Sequence, residues 1–191
     1  MLHKLSLAAL CVGFFLWILT SKAALPFWTL AAILIHELGH LFAARLLHMK
    51  PSGAAADTIG IRLLFRGTPP SYKKEIVLCA AGPLANLLSI PLFLLFGLPP
   101  SSFFHAISGA LALLNLLPIE GFDGGRIARA SLLLFLTPDM TDKITDALSF
   151  LFLFMLWCIS VYLMMRTANE LSLFFFATAI FFRIFLQKKP L

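Results

Sequence analysis

The stretch Ile35-His36-Glu37-Leu38-Gly39-His40-Leu41 places three ionisable side chains inside an apolar run long enough to cross a membrane. Such groups are costly at membrane depth, so their presence there indicates a functional site. On an α-helix, residues four apart lie on one face, so His36 and His40 can bind one metal ion together. Glu37 then lies beside the metal as a candidate general base. The alternative is a pair of buried histidines with a structural role.

The composition is that of a multispan membrane protein. Of the 191 residues, 60% are hydrophobic and 13% are charged, and the mean hydropathy is +0.94. This balance predicts an all-α membrane protein, folded as a single membrane-embedded domain over residues 1–191. The three cysteines lie in apolar stretches without a C-x-x-C spacing. They therefore indicate neither a disulfide framework nor a thiolate metal site.

About six apolar segments are predicted to be transmembrane helices, at residues 5–20, 24–48, 76–96, 103–117, 148–165 and 171–186. In the loop at 49–74, residues 59–66 place apolar side chains at alternate positions, which predicts a short β-strand or hairpin at the membrane surface. After the fourth span, the prolines and glycines of residues 118–125 predict an unwound segment. Irregular backbone is not tolerated against lipid, so this segment should be buried or line a wet cavity. Residues 127–136 are predicted to form a short interfacial helix.

The basic residues predict the orientation in the membrane. With six spans, Lys22 and Arg166 would lie on one side and the other thirteen of the 15 Lys and Arg residues on the opposite side. Basic residues concentrate on the cytoplasmic side, so both termini of this multi-pass protein of the cell membrane should be cytoplasmic. The net charge of +6 is explained by this topology, and no nucleic-acid partner is predicted. The histidine pair would lie about 10 Å from Arg45 and about 24 Å from Lys22, nearer the cytoplasmic face.

A catalytic zinc ion has three protein ligands and one open position for water, so a third ligand is needed. Asp123 is the candidate, because it follows a span of the same direction as the second and lies in the unwound segment, where a carboxylate can turn inward. Glu120, three residues earlier, is the alternative ligand or a group that hydrogen-bonds to one. His3, His48 and His105 lie near span ends, and a structural or interfacial role is predicted for them.

Three motifs occur in order along the chain: H-E-L-G-H at 36–40, A-G-P-L-A-N at 81–86 and N-L-L-P-x-x-x-x-D-G-G-R at 115–126. Together they resemble the site-2 protease family of intramembrane zinc metalloproteases. The similarity is nearest to the sporulation-type bacterial members, which process a membrane-associated sigma-factor precursor. The resemblance implies that His36, His40 and Asp123 are the zinc ligands and that Glu37 is the catalytic base.

The resemblance also implies roles for two asparagines. Asn115 is a candidate donor to the oxyanion, and Asn86 is a polar residue near the cleft. For both residues, a hydrogen bond between helices is the alternative role. Many relatives carry a second proline where this chain has Glu120-Gly121-Phe122, a departure that spares the ligand. The catalytic core would cover about 24–126, without an appended CBS or PDZ domain.

The function implied is that of an intramembrane zinc metalloendopeptidase, which cleaves a membrane-associated or membrane-spanning protein near the cytoplasmic face. Its cofactor would be one Zn²⁺ ion with a catalytic water. Its expected partners are a membrane-tethered substrate (a sigma-factor precursor or an anti-sigma factor), the lipid bilayer and a regulatory membrane protein. An extended substrate could add to the edge of strand 59–66. The alternatives are an inactive membrane scaffold with a structural zinc, which the intact Glu37 disfavours, and a metal transporter.

Overall fold

The structure is a computed structural model that describes residues 25–49, 51–57, 60–65, 71–99, 103–167, 174–175 and 177–181. The chain divides into two compact units, one up to Leu116 and one from Leu117. In chain order the elements are α1 (Leu25–Leu46), β1 (Pro51–Asp57), β2 (Gly60–Phe65), α2 (Tyr72–Leu95), α3 (Phe103–Asn115), α4 (Asp123–Leu132) and α5 (Pro138–Thr167).

Three of these helices are long and apolar enough to cross a membrane, at Leu25–Leu46, Tyr72–Leu95 and Pro138–Arg166. The apolar helix Phe103–Asn115 is shorter. A helix of 22 residues is about 33 Å long, which matches a hydrocarbon core of about 30 Å. These helices match the second to fifth predicted spans and confirm a helical membrane protein. The first predicted span and most of the sixth lie outside the described residues, so the count of six stays a prediction.

Small residues let α1 and α2 pack closely in the first unit. A Cβ atom at Gly39 would lie 2.5 Å from the Ala81 carbonyl oxygen and 2.7 Å from Ala85 Cβ, so glycine permits this approach. The contact continues through a buried cluster that includes Ala43 and Leu78. The packing therefore brings the H-E-L-G-H motif of α1 against the A-G-P-L-A-N motif of α2.

The third helix of this unit is anchored by an aromatic cluster. Phe104 of α3 is fully buried, and its ring centroid lies 5.8 Å from that of Trp28 and 4.6 Å from that of Phe93. Because Trp28 belongs to α1 and Phe93 to α2, this one ring contacts both neighbouring helices. Aromatic pairs at these separations stabilise packing beyond the area that they bury.

The loop between α1 and α2 contains a two-stranded antiparallel sheet. Strand β1 pairs with β2 from Asp57↔Gly60 to Pro51↔Phe65, with a shift of register between Pro51 and Gly53. Strand β2 falls within the stretch 59–66 whose alternation predicts a strand.

The second unit contains α4 and α5. The sequence predicts a helix over 127–136, but α4 begins at Asp123 and ends at Leu132. The predicted start is wrong because Gly124 and Gly125 fit the first turn of a helix, where the backbone N–H groups need no intrahelical acceptor. Helix α5 begins at Pro138, a favoured first position.

Candidate metal site

His36 and His40 face each other on one side of α1. Their Nε2 atoms are 3.2 Å apart, and His36 is buried within the helical bundle. Two nitrogen ligands held about 2.05 Å from a tetrahedral zinc ion would lie about 3.3 Å apart. The observed separation therefore fits one shared metal ion, as the spacing of four residues predicts.

The backbone of α2 orients the ring of His40. Nδ1 of His40 lies 2.8 Å from the carbonyl oxygen of Leu78. A carbonyl oxygen only accepts hydrogen bonds, so Nδ1 carries the proton and Nε2 keeps its lone pair. Such a partner fixes the tautomer and the orientation of a metal-binding histidine. His40 is thus held in the form that binds a metal through Nε2.

Gly82 of α2 provides the space that the two imidazole rings occupy. A Cβ atom at this position would lie 2.6 Å from Cε1 of His40 and 2.8 Å from Nε2 of His36. Real Cβ atoms do not make such contacts, so only glycine fits here without displacing a ring. The sequence contains this residue in A-G-P-L-A-N, but its role becomes visible only once α1 and α2 are paired.

Glu37 follows His36 on α1 and is half-buried. Consecutive residues of an α-helix are separated by about 100° around the axis, so Glu37 lies beside the histidine face. The role of Glu37 as the base stays a prediction.

Asp123 is the first residue of α4 and is only 8% exposed. The third ligand that the sequence predicts is therefore a buried carboxylate of the second unit, and its place in the metal site stays a prediction. Two imidazole nitrogens and one carboxylate oxygen are ligands that zinc accepts, so the donor set fits this metal. Glu120, the alternative ligand, is exposed.

The segment before Asp123 is held in place by two residues of its own unit, Ser149 and Gly125. Ser149 Oγ of α5 accepts a hydrogen bond from the Glu120 N–H at 2.9 Å and donates to the Pro118 carbonyl oxygen at 3.4 Å. Gly125 packs against the same segment, since a Cβ atom there would lie 2.7 Å from the carbonyl carbon of Ile119. The sequence gives no sign of the role of Ser149 and indicates Gly125 only as part of the unwound segment, because both residues act on backbone atoms.

We expect Ser149→Ala to lower the free energy of unfolding by about 0.5–1.5 kcal/mol, because the Glu120 N–H would lose its acceptor. It should also weaken zinc binding, since the segment that carries Asp123 would loosen. Thermal unfolding and zinc competition with a chelator measure the two effects. Ser160→Ala is the matched control, because this buried hydroxyl on the same helix donates to Trp157 within α5. Equal effects of both variants on zinc binding would contradict the expectation.

The two asparagines occupy different environments. Asn115 ends α3, and its Nδ2 donates to the Leu111 carbonyl oxygen at 2.9 Å. An amide nitrogen has two N–H groups, so this bond leaves a second donor for an oxyanion. The oxyanion role of Asn115 stays a prediction. Asn86 is fully buried on α2, with its Nδ2 3.4 Å from Nδ1 of His36.

Comparison with known proteins finds a solved structure whose fold is similar to that of this chain. No protein-family model matches the chain, and no curated protein matches it either. Among solved structures, the chain is similar to a site-2 protease from Methanocaldococcus jannaschii, with a TM-score of 0.61 and 18% sequence identity. The similarity covers 98% of this chain and 89% of that chain. The protein therefore has the fold of a site-2 protease, which confirms the resemblance at the level of the fold.

Proposed function

We propose that this protein is an intramembrane zinc metalloendopeptidase that cleaves a membrane-associated or membrane-spanning protein near the cytoplasmic face. The observation that carries the proposal is the pair of Nε2 atoms, 3.2 Å apart, on an apolar helix that also presents Glu37. A metal site with an adjacent base inside a membrane span suits hydrolysis of a peptide bond at that depth. The fold of a site-2 protease supports the same reaction.

In the proposed reaction, a zinc ion held by His36, His40 and Asp123 would supply an activated water and polarise the scissile carbonyl. Glu37 accepts a proton from the attacking water and returns it to the leaving amine. The second N–H of Asn115 donates to the oxyanion as negative charge develops. Gly82 leaves room for the two imidazole rings, and the Leu78 carbonyl oxygen holds the tautomer of His40.

The substrate that we propose is a membrane-tethered protein, such as a sigma-factor precursor or an anti-sigma factor. A helical substrate has its carbonyl groups hydrogen-bonded, so it must be unwound locally before attack. Within the described residues, the sheet has two strands, so β2 keeps one edge to which an extended substrate could add as a further strand. We also propose a regulatory membrane protein as a partner. A topology of six spans with both termini in the cytoplasm belongs to the same proposal.

Metal removal tests the proposal directly. Quantitative proteomics of cells that carry either the wild type or His40→Ala should reveal a membrane-tethered protein that only the wild type cleaves. Purified wild type should cleave this protein, lose the activity after treatment with a zinc chelator and regain it when about one zinc ion per chain is restored. His40→Ala should not recover.

His48→Asn is the matched control, because His48 is exposed, follows α1 and has a positive φ of 54° that asparagine tolerates. It should cleave like the wild type. Cleavage that survives complete removal of zinc, or normal zinc binding by His40→Ala, would refute the proposed function.

A further inference from the structure

The side-chain amide of Asn86 points at the ring of His36 from the neighbouring helix. Asn86 is 0% exposed on α2, and its Nδ2 lies 3.4 Å from Nδ1 of His36. Its Oδ1 atom is buried and has no hydrogen-bond partner among the residues that the structure describes. Buried amide oxygens normally have a partner, so this one requires an explanation.

The two amide orientations have opposite consequences for His36. With Nδ2 towards the ring, the amide donates, so Nδ1 of His36 must accept and Nε2 must carry the proton. A protonated Nε2 has no lone pair for a metal. With the amide reversed, Oδ1 takes the place of Nδ2 and accepts a hydrogen bond from Nδ1–H. The amide oxygen and nitrogen are nearly equal in shape, so this reversal needs no movement of the backbone.

We propose that the side-chain carbonyl of Asn86 accepts a hydrogen bond from Nδ1–H of His36 and so presents Nε2 of His36 to the metal. Asn86 is then a positioning residue, which acts on the metal through His36. This inference rests on the proposed metal site at His36 and His40.

The arrangement mirrors the one at His40. There, the Leu78 carbonyl oxygen of the same helix holds Nδ1, at 2.8 Å. With Asn86 reversed, α2 supplies one carbonyl acceptor to each imidazole ring, and both Nε2 atoms keep lone pairs across their separation of 3.2 Å. Leu78 uses a backbone group, whereas the acceptor for His36 comes from a side chain and can be removed by substitution.

An amide suits this place better than a carboxylate. The residue is fully buried on a helix of membrane-spanning length, where an ionised side chain would be costly. The backbone around it is also fixed, because Ser89 Oγ donates to the Asn86 carbonyl oxygen at 2.6 Å. A neutral acceptor on a fixed turn of helix can hold the ring without adding charge to the site.

The test compares zinc affinity in purified full-length variants by competition with a chelator. Asn86→Leu has similar volume and no acceptor, so it should weaken zinc binding about 10- to 100-fold. Asn86→Asp keeps an acceptor at the same place, so it should bind zinc more tightly than Asn86→Leu in spite of the cost of burying a carboxylate. The visible spectrum of the Co²⁺-loaded protein should change in Asn86→Leu and be retained in Asn86→Asp. Thr29→Val is the matched control and should bind zinc normally, because the Thr29 hydroxyl donates to the Leu25 carbonyl oxygen within α1.

A purely structural Asn86 predicts a different result. Asn86→Leu and Asn86→Asp would then alter the thermal stability of the zinc-free protein while zinc affinity stayed at the wild-type value, which would overturn the inference. Equal weakening of zinc binding by Leu and Asp would also overturn it. If Asn86→Leu does not fold, Asn86→Asp against Asn86→Ala gives the same comparison. A wild type that binds no zinc would overturn the proposed function as well, so the two failures are distinguishable.

Discussion

Gly82→Ala should deprive the protein of both its zinc and its cleavage activity. The added methyl carbon would lie 2.6 Å from Cε1 of His40 and 2.8 Å from Nε2 of His36, so the rings must move apart. We expect zinc affinity to fall by at least about 100-fold, the upper end of the effect of losing a group that orients a ligand. Zinc content per purified chain and cleavage of the substrate measure the two losses.

This expectation opposes the one from helix propensity, which makes the variant informative. Alanine favours a helix interior over glycine by about 1 kcal/mol, so Gly82→Ala would be stabilising if only the helix mattered. Gly109→Ala is the matched control on α3, because the nearest atom to its added Cβ would be Ile90 Cδ1 at 3.9 Å, an ordinary contact. Gly109→Ala should bind zinc and cleave normally. Normal zinc content in Gly82→Ala would contradict the close packing of Gly82 against both rings.

The histidine pair could be predicted from the sequence because its geometry is local. A spacing of four residues on a helix sets the distance between His36 and His40 whatever surrounds them. The span positions followed from hydropathy for the same reason, since each span is a continuous segment. The sequence indicates Asp123 by its place in the unwound segment, and the structure shows it buried at the start of α4.

What the sequence could not provide are the contacts that depend on which helix faces meet. Gly82 matters because α2 presents it to both imidazole rings, and Asn86 because its amide reaches His36. These contacts between helices cannot be predicted from a single sequence. The start of α4 was misplaced for a related reason. The glycines at 124 and 125 indicate a loop by composition, whereas Gly125 is needed for close packing against Ile119.

Glu37→Gln should abolish most cleavage while zinc binding stays at the wild-type level. Glutamine keeps the size of the side chain but cannot accept the proton of the attacking water. A positioned general base contributes about 10²- to 10⁴-fold to a rate, so we expect a loss in that range. Zinc content of the purified variant and its initial rate of cleavage give the two values. In cells, the membrane-tethered precursor should accumulate uncut.

The matched control is Glu75→Gln, the same change in the first turn of α2, which should leave cleavage intact. The comparison separates the three functions that a metal site in this fold could serve. A scaffold with a structural zinc needs no base, so its cellular role would survive Glu37→Gln. A transporter would still move metal across vesicles that contain the variant. Only a protease would stop forming its cleavage product while it still binds zinc, because Glu37 acts on the water and is not a ligand.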